Sequence, residues 1–167
     1  MDLKELQRPI RERYRADPDT ARITLTARGS QTDAPVGCNI DLGRALYEAE
    51  AHPGVGGPGT AACSGDLLLG ALAACAQLTC QMVATSMGLR VERMEAVVEG
   101  DLDLRGTLGM DREVTPGFSE IRLRFEIDAP EASQEQLEEL VGKTERFCTV
   151  LKTLTDPPAI SAELAGA

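Results

Sequence analysis

The run "LLLGALAACAQLTCQMVATSM", Leu67 to Met87, is apolar or small on nearly every side of a helix until Gly88 closes it. Ser64 stands before it in an N-cap position, and Asp66 places a negative charge in the first turn, where the helix dipole favours one. A helix of about 22 residues is ~33 Å long at a rise of 1.5 Å per residue. It is too long and too apolar for the surface of a small monomer, so the pattern predicts a central helix wrapped by sheet or by a second subunit.

The flanking sequence supplies the wrapping. Asp2 to Arg15 carries Leu3, Leu6, Ile10 and Tyr14 at helical spacing, an amphipathic helix that ends before Pro18. "ARITLTARG" sets Ile23 and Leu25 on one side and Thr24 and Thr26 on the other. With "GCNIDLG" it predicts two strands of an antiparallel sheet. His52 to Gly65 holds five glycines and two prolines and reads as a loop. Met94, Ala96, Val98, Leu102 and Leu104 share one parity, and Ile121, Leu123, Phe125 and Ile127 alternate with Arg122, Arg124 and Glu126. Both stretches predict half-buried strands. Ser133 and Gln136 have capping-box spacing ahead of the stripe Leu137, Leu140 and Val141. "CTVLKTL" continues as helix until Pro157 and Pro158, and "AISAEL" makes a last short strand. Strands before and after one buried helix describe an α+β class, with antiparallel sheet packed on the long central helix.

Composition narrows the function. A chain of 167 residues fits one domain with a proper core. A net charge of −10 repels phosphate backbones and anionic membranes, so neither nucleic acid nor membrane is expected as a partner. No apolar run is expected to reach the ~20 residues that span a bilayer, and the N-terminus lacks the apolar middle of a signal peptide, which points to the cytoplasm. With 3% aromatic residues the core is built from Leu, Val, Ala and Met, and the small-residue surface "GALAACA" suits a homodimer. An odd count of five cysteines without an export signal argues against a disulfide framework. The cysteines stand at 38, 63, 75, 80 and 148, with no C-x-x-C and a single histidine, His52, so no metal or other cofactor is expected.

Two thiols stand out. Cys75 lies ~15 Å from the helix start, beyond reach of the helix dipole, and burial alone would raise its pKa above ~8.5. A reactive Cys75 therefore requires a cation brought in by tertiary contact; otherwise it is a small apolar residue in a helix contact. Cys80, ~140° further round the helix, reads as core. Cys38 and Cys63 read as structural. Cys148, near Arg146 and Lys152, sits in more polar sequence and is the better second thiol.

"CSGDLLLGALAACAQLTCQMVATSMGL" and "TERFCTVLKTL" resemble the two signature segments of the OsmC/Ohr family, the osmotically induced and organic hydroperoxide resistance proteins. Cys75 takes the place of the family's first cysteine and Cys148 that of the second, with Val150, Thr153 and Leu154 in matching positions. The resemblance covers about residues 22–164 of a single domain over 1–167, leaving 1–18 as an N-terminal helical extension. It implies an OsmC-like α+β fold in an intertwined homodimer, with the thiols at the subunit interface. It also implies reduction of a small organic hydroperoxide, with Cys75 peroxidatic, Cys148 resolving and a dithiol as reductant. Arg28, in "TARGSQ", takes the place of the family's activating arginine, and Asp66 that of an acid nine residues before the first cysteine. Nine helical steps leave that acid ~180° from Cys75. Gly65 stands where some members have glutamate, and Ser64 and Thr149 where proline is usual. The alternative reading is a non-catalytic binding or redox-sensing module with an apolar interface pocket.

Overall fold

A computed structural model describes Glu5, Arg8, Glu12, Ala16, Asp17 and residues 28–31, 37–41 and 46–165. Glu5, Arg8, Glu12 and Ala16 are helical, and the Arg8 guanidinium meets Glu5 at 3.1 Å. The apolar stripe Leu3, Leu6, Ile10 and Tyr14, and the strand residues Ile23 and Leu25, lie outside the described residues.

Strands β1 (Arg28–Gln31), β2 (Gly37–Asp41) and β3 (Leu46–Glu50) form an antiparallel sheet in that order, with Arg28 opposite Asp41 and Cys38 opposite Ala49. β3 adds a strand to the two that the pattern predicts. A 3₁₀ turn at Pro53–Val55 precedes helix α1 (Ser64–Met87). Next come β4 (Arg93–Leu102), the short helix α2 (Leu104–Thr107), β5 (Phe118–Asp128), α3 (Gln134–Phe147) and α4 (Thr149–Thr155). β4 and β5 pair in a second sheet. The Glu92 N–H donates to the Asp128 carbonyl at 2.8 Å and the Ser119 hydroxyl to the Asp101 carbonyl at 3.1 Å, which makes the pairing antiparallel. The fold is α+β, as the element pattern predicts.

The chain divides into two compact units, Met1–Gly70 with Val98–Leu123, and Ala71–Val97 with Arg124–Ala167. In the first, Glu50 at the end of β3 ties back the glycine-rich loop. Its carboxylate accepts the Thr60 hydroxyl at 2.7 Å and the N–H groups of Thr60 and Ala61 at 3.0 and 3.1 Å. These bonds hold the Glu50 carboxyl below the usual carboxylate range, the Thr60 hydroxyl most of all. His52 is used for loop geometry, its Nδ1 accepting the Gly54 N–H at 3.0 Å ahead of the 3₁₀ turn.

The start of α1 differs from the expected Ser64 cap. Ser64 is itself the first helical residue, and the Leu67 N–H donates to the Cys63 carbonyl at 3.0 Å. The Asp66 carboxylate then accepts the Cys63 N–H at 2.9 Å, which is the reciprocal half of a capping box. A hydroxyl was not needed because an acid at the third helical position already reaches the flanking N–H. Leu104 also departs from expectation. Strand β4 ends at Leu102, because the Asp103 carboxylate accepts the Arg105 N–H at 3.0 Å and opens α2.

The second unit holds a core. Leu72, Ala76, Cys80 and Ala84 make one buried stripe of α1 at a spacing of four. Cys80, Ala84 and Leu140 pack with Val83, Met87, Leu89, Val91, Met94, Phe125 and Ile127. Gln77 stitches α1 to β4, donating to the Met94 carbonyl at 3.1 Å and accepting the Ala96 N–H at 2.8 Å. α3 begins with the capping box that the spacing predicts, Ser133 and Gln136 satisfying each other's N–H at 3.2 and 2.9 Å. The opposite stripe of α1, Ala71, Ala74, Leu78 and Met82, is exposed in the single chain, Leu78 by 59%.

Two further expectations change. α1 has 24 residues, holds an 18-residue stretch of mean hydropathy 1.7, and is long and apolar enough to cross a bilayer by length and composition. Its buried stripe and the Gln77 bonds make it a core helix here. "AISAEL" forms no strand. Its alternation meets no partner edge among the described residues, and Ile160 and Leu164 stay 87% and 96% exposed.

Candidate functional site: the Cys75–Cys148 pair

Cys75 lies midway along α1, half-buried, and Cys148 lies in the break between α3 and α4, fully buried. The break shapes the site. Cys148 ends α3, its N–H donating to the Thr144 carbonyl at 2.9 Å, and its backbone then turns extended, with φ −71° and ψ 106°. It also begins α4, its carbonyl accepting the Lys152 N–H at 2.9 Å. The first N–H groups of a helix have no acceptor within it. In α4 those of Thr149 and Val150 donate to the Cys75 sulfur.

Burial by itself would push the Cys75 thiol up. The Val150 N–H, the Cys148 thiol, the Thr79 hydroxyl and the Thr149 N–H together outweigh it and hold Cys75 below the ordinary thiol range. Burial pushes Cys148 up, against the opposing N–H groups of Leu151 and Val150. Donation of its proton to Cys75, and the charge developing there, push it up further. The two sulfurs therefore titrate as one unit, the first proton leaving a thiolate on Cys75 that accepts the Cys148 S–H. Exposure agrees with charge, because the lower-pKa sulfur is also the accessible one. A thiolate with a neutral thiol in contact is built for oxidation followed by disulfide formation.

The sequence predicts a cation brought in by tertiary contact to lower Cys75. Among the described residues, the groups that lower it are main-chain N–H, thiol and hydroxyl donors. Arg28 opens β1 opposite Asp41, and its side chain lies outside the described residues. Asp66 is exposed at the start of α1. The Cys63 N–H and thiol, with His52 adding a smaller electrostatic effect, hold its carboxyl below the usual range. It is not among the groups acting on Cys75. Cys80 is core, as its helical position predicts, and burial pushes its thiol up. Sequence reasoning missed Thr79, although a hydroxyl four residues after Cys75 falls on the same helix face.

Apart from the thiol pair, the first unit holds a cavity of about 870 Å³, its wall including Val55, Leu68, Leu102, Leu104, Phe118 and His52. Neither Cys75 nor Cys148 lines it.

The family model described as OsmC-like protein matches residues 57–163, which include both thiols. The crystal structure of an OsmC-like protein from Mycoplasma pneumoniae is similar at a TM-score of 0.68 and 18% identity, covering 81% of this chain and 89% of that one. An organic hydroperoxide resistance protein OsmC from Legionella pneumophila is similar at 0.61 and 19% identity, over 80% and 90% of the two chains. The organic hydroperoxide resistance protein OhrB of Bacillus subtilis is similar at 0.52 and 19% identity, over 81% and 93%. At these identities the structures speak for the fold alone. No curated protein matches the chain significantly.

Proposed function

The chain belongs to the OsmC/Ohr family, and from that premise we propose that it reduces organic hydroperoxides with the Cys75–Cys148 pair. The observation that carries the reading is the donor set on Cys75, which favours its thiolate while Cys148 keeps its proton in contact with it. The Cys75 thiolate attacks the outer oxygen of R–O–O–H, the O–O bond breaks, and the alkoxide leaves and takes a proton to become the alcohol. Cys75 is then a sulfenic acid. The Cys148 sulfur attacks it, water leaves, and a disulfide joins the two cysteines. A small dithiol reopens the disulfide by exchange and is itself oxidised to a disulfide. The apolar neighbours of Cys75 on α1, Ala71, Ala74 and Leu78, suit a substrate with a hydrocarbon tail.

The proposal extends to assembly. A second copy of this chain covers the exposed stripe Ala71, Ala74, Leu78 and Met82, giving a homodimer, and the reducing cytoplasm is where the thiols rest reduced. Arg28 keeps, within this proposal, the activating role that the resemblance implies. The test is peroxide loss with cumene hydroperoxide and dihydrolipoamide, in wild type and in Cys75→Ser. Turnover in the wild type alone supports the reading, and turnover that survives the substitution removes Cys75 as nucleophile.

The 870 Å³ cavity favours a second reading, a binding module for an apolar small molecule, because that cavity uses neither thiol. A wild-type protein that fails to turn over peroxide yet takes up an apolar probe would select it.

A further inference from the structure

The first unit's cavity has a wall that depends on two glycines. Val55, Leu68, Leu102, Leu104 and Phe118 give it an apolar surface, and its volume of about 870 Å³ suits a small molecule. A Cβ at Gly100 would stand 2.7 Å from the Phe118 ring, and one at Gly65 would stand 3.3 Å from it. The ring fits its place because neither position carries a side chain. The Cys63 sulfur lies 3.5 Å from the same Gly65 position, which puts a thiol beside the ring in the cavity wall.

The charges around this cavity have one sign. Among the described residues no lysine or arginine lines it, while Glu50 and Asp101 do. His52 adds no positive charge, because its Nδ1 accepts the Gly54 N–H at 3.0 Å, which only the neutral ring can do. Two guanidiniums adjoin the lining residues, and both are outnumbered. Arg122 faces Glu99, Asp101 and Glu120, and Arg105 faces Asp103 and Asp111. Glu50 also has bonding capacity left. A carboxylate offers about four acceptor positions, two on each oxygen. Its Oε2 takes the N–H groups of Thr60 and Ala61, whereas Oε1 takes the Thr60 hydroxyl alone, so one position on Oε1 is open.

We propose that this cavity binds an apolar molecule carrying a cationic amine, its body against Phe118 and the leucines and its ammonium on the open Glu50 oxygen. The inference rests on the reading of the cavity as a binding site for an apolar small molecule, and names the head group of that molecule. It is independent of the thiol pair, neither member of which lines the cavity. An ammonium supplies the donor that Oε1 lacks and meets a field that favours its charge. A hydroxyl gains the hydrogen bond without the charge. A carboxylate meets the same field with the wrong sign and finds no cation to hold it.

Three molecules with one aromatic body test this: naphthylethylamine, naphthylethanol and naphthylacetate, titrated into the reduced protein and followed by the fluorescence anisotropy of the naphthyl group. The place of binding is read from iodoacetamide labelling of Cys63 and Cys75, resolved by residue in mass spectrometry. The expected result is a Kd about tenfold lower for the amine than for the alcohol, with the acid weaker than both. The amine should protect Cys63 and leave the labelling of Cys75 as it was. In Glu50→Gln the amine should fall to the affinity of the alcohol. Glu50 also ties down the glycine-rich loop, so a thermal melt accompanies the variant. Should it melt early, the wild type is titrated at low and high salt instead, where the amine should weaken severalfold and the alcohol should not. Equal binding of amine and alcohol, tighter binding of the acid, or an amine preference that salt leaves untouched overturns the proposal while the cavity stays an apolar site. An amine that protects Cys75 rather than Cys63 also overturns it. Failure of all three molecules to bind overturns it together with the reading it rests on.

Discussion

Thr149→Pro removes one donor from Cys75 and little else. Thr149 is the first residue of α4, where proline's fixed φ suits the helix and its missing N–H costs no intrahelical bond. Cys148 before it already has the extended ψ of 106° that a residue preceding proline adopts. The fold should therefore tolerate the change, with stability unaltered or raised by about 0.4–1 kcal/mol through the stiffer unfolded chain. The thiolate should not tolerate it. A hydrogen bond to a charged group is worth about 1.5–3 kcal/mol when wholly lost, which is ~1–2 pH units. The Thr149 N–H is the weakest of the four donors on Cys75, and the sulfur is open enough for water to replace part of it. The expected rise in the Cys75 alkylation midpoint is therefore about half a unit to one unit. The sign is fixed, since removing a donor disfavours the anion and moves the rise in reactivity to higher pH. Iodoacetamide labelling across pH, read at the Cys75 peptide, measures it. A midpoint that stays put or falls, in a protein that melts like wild type, would refute the claim that α4 stabilises the thiolate.

Other consequences can be checked separately. Cys148→Ser should let one equivalent of peroxide react but trap Cys75 as sulfenic acid, read as a dimedone adduct, with dithiol-supported turnover lost. Asp66→Ala should cost about 0.5–1 kcal/mol at neutral pH, the usual value of a lost helix-start acceptor. The folded Asp66 has a depressed pKa, so its contribution is present above the unfolded value of ~3.9 and fades as pH falls through the lower folded one. The gap between the two proteins in urea unfolding should narrow on that acid side. Leu78→Glu places a charge on a side chain 59% exposed in the single chain, which is harmless on a monomer surface and disruptive in an interface. Sedimentation should show a dimer for wild type and a monomer for the variant.

Local pattern carried much of the fold. The Ser133–Gln136 box, the parity of β5 and the closure of α1 at Gly88 depend on neighbours within a turn or a strand, so spacing alone reveals them. Where the outcome depended on partners distant in sequence, spacing misled. "AISAEL" alternates like a strand but finds no edge, and β3 forms at a short stretch because β2 lies beside it. Cys63 takes the cap position before α1 although cysteine is no preferred cap, because Asp66 reaches back to it. The site divides in the same way. The two cysteines were legible through the resemblance, but the donors from the start of α4 were not. Main-chain N–H groups there are among those that lower Cys75, and an amide leaves no mark in a sequence beyond the break that exposes it.

The most direct measurement adds one equivalent of cumene hydroperoxide to the reduced protein, blocks free thiols, digests without reductant and maps the linked peptides. The account predicts a single new link, Cys75 to Cys148, with two hydrogens lost from the protein and one equivalent of cumyl alcohol formed. Peroxide left unconsumed, or consumed while Cys75 remains free to alkylate, would contradict it.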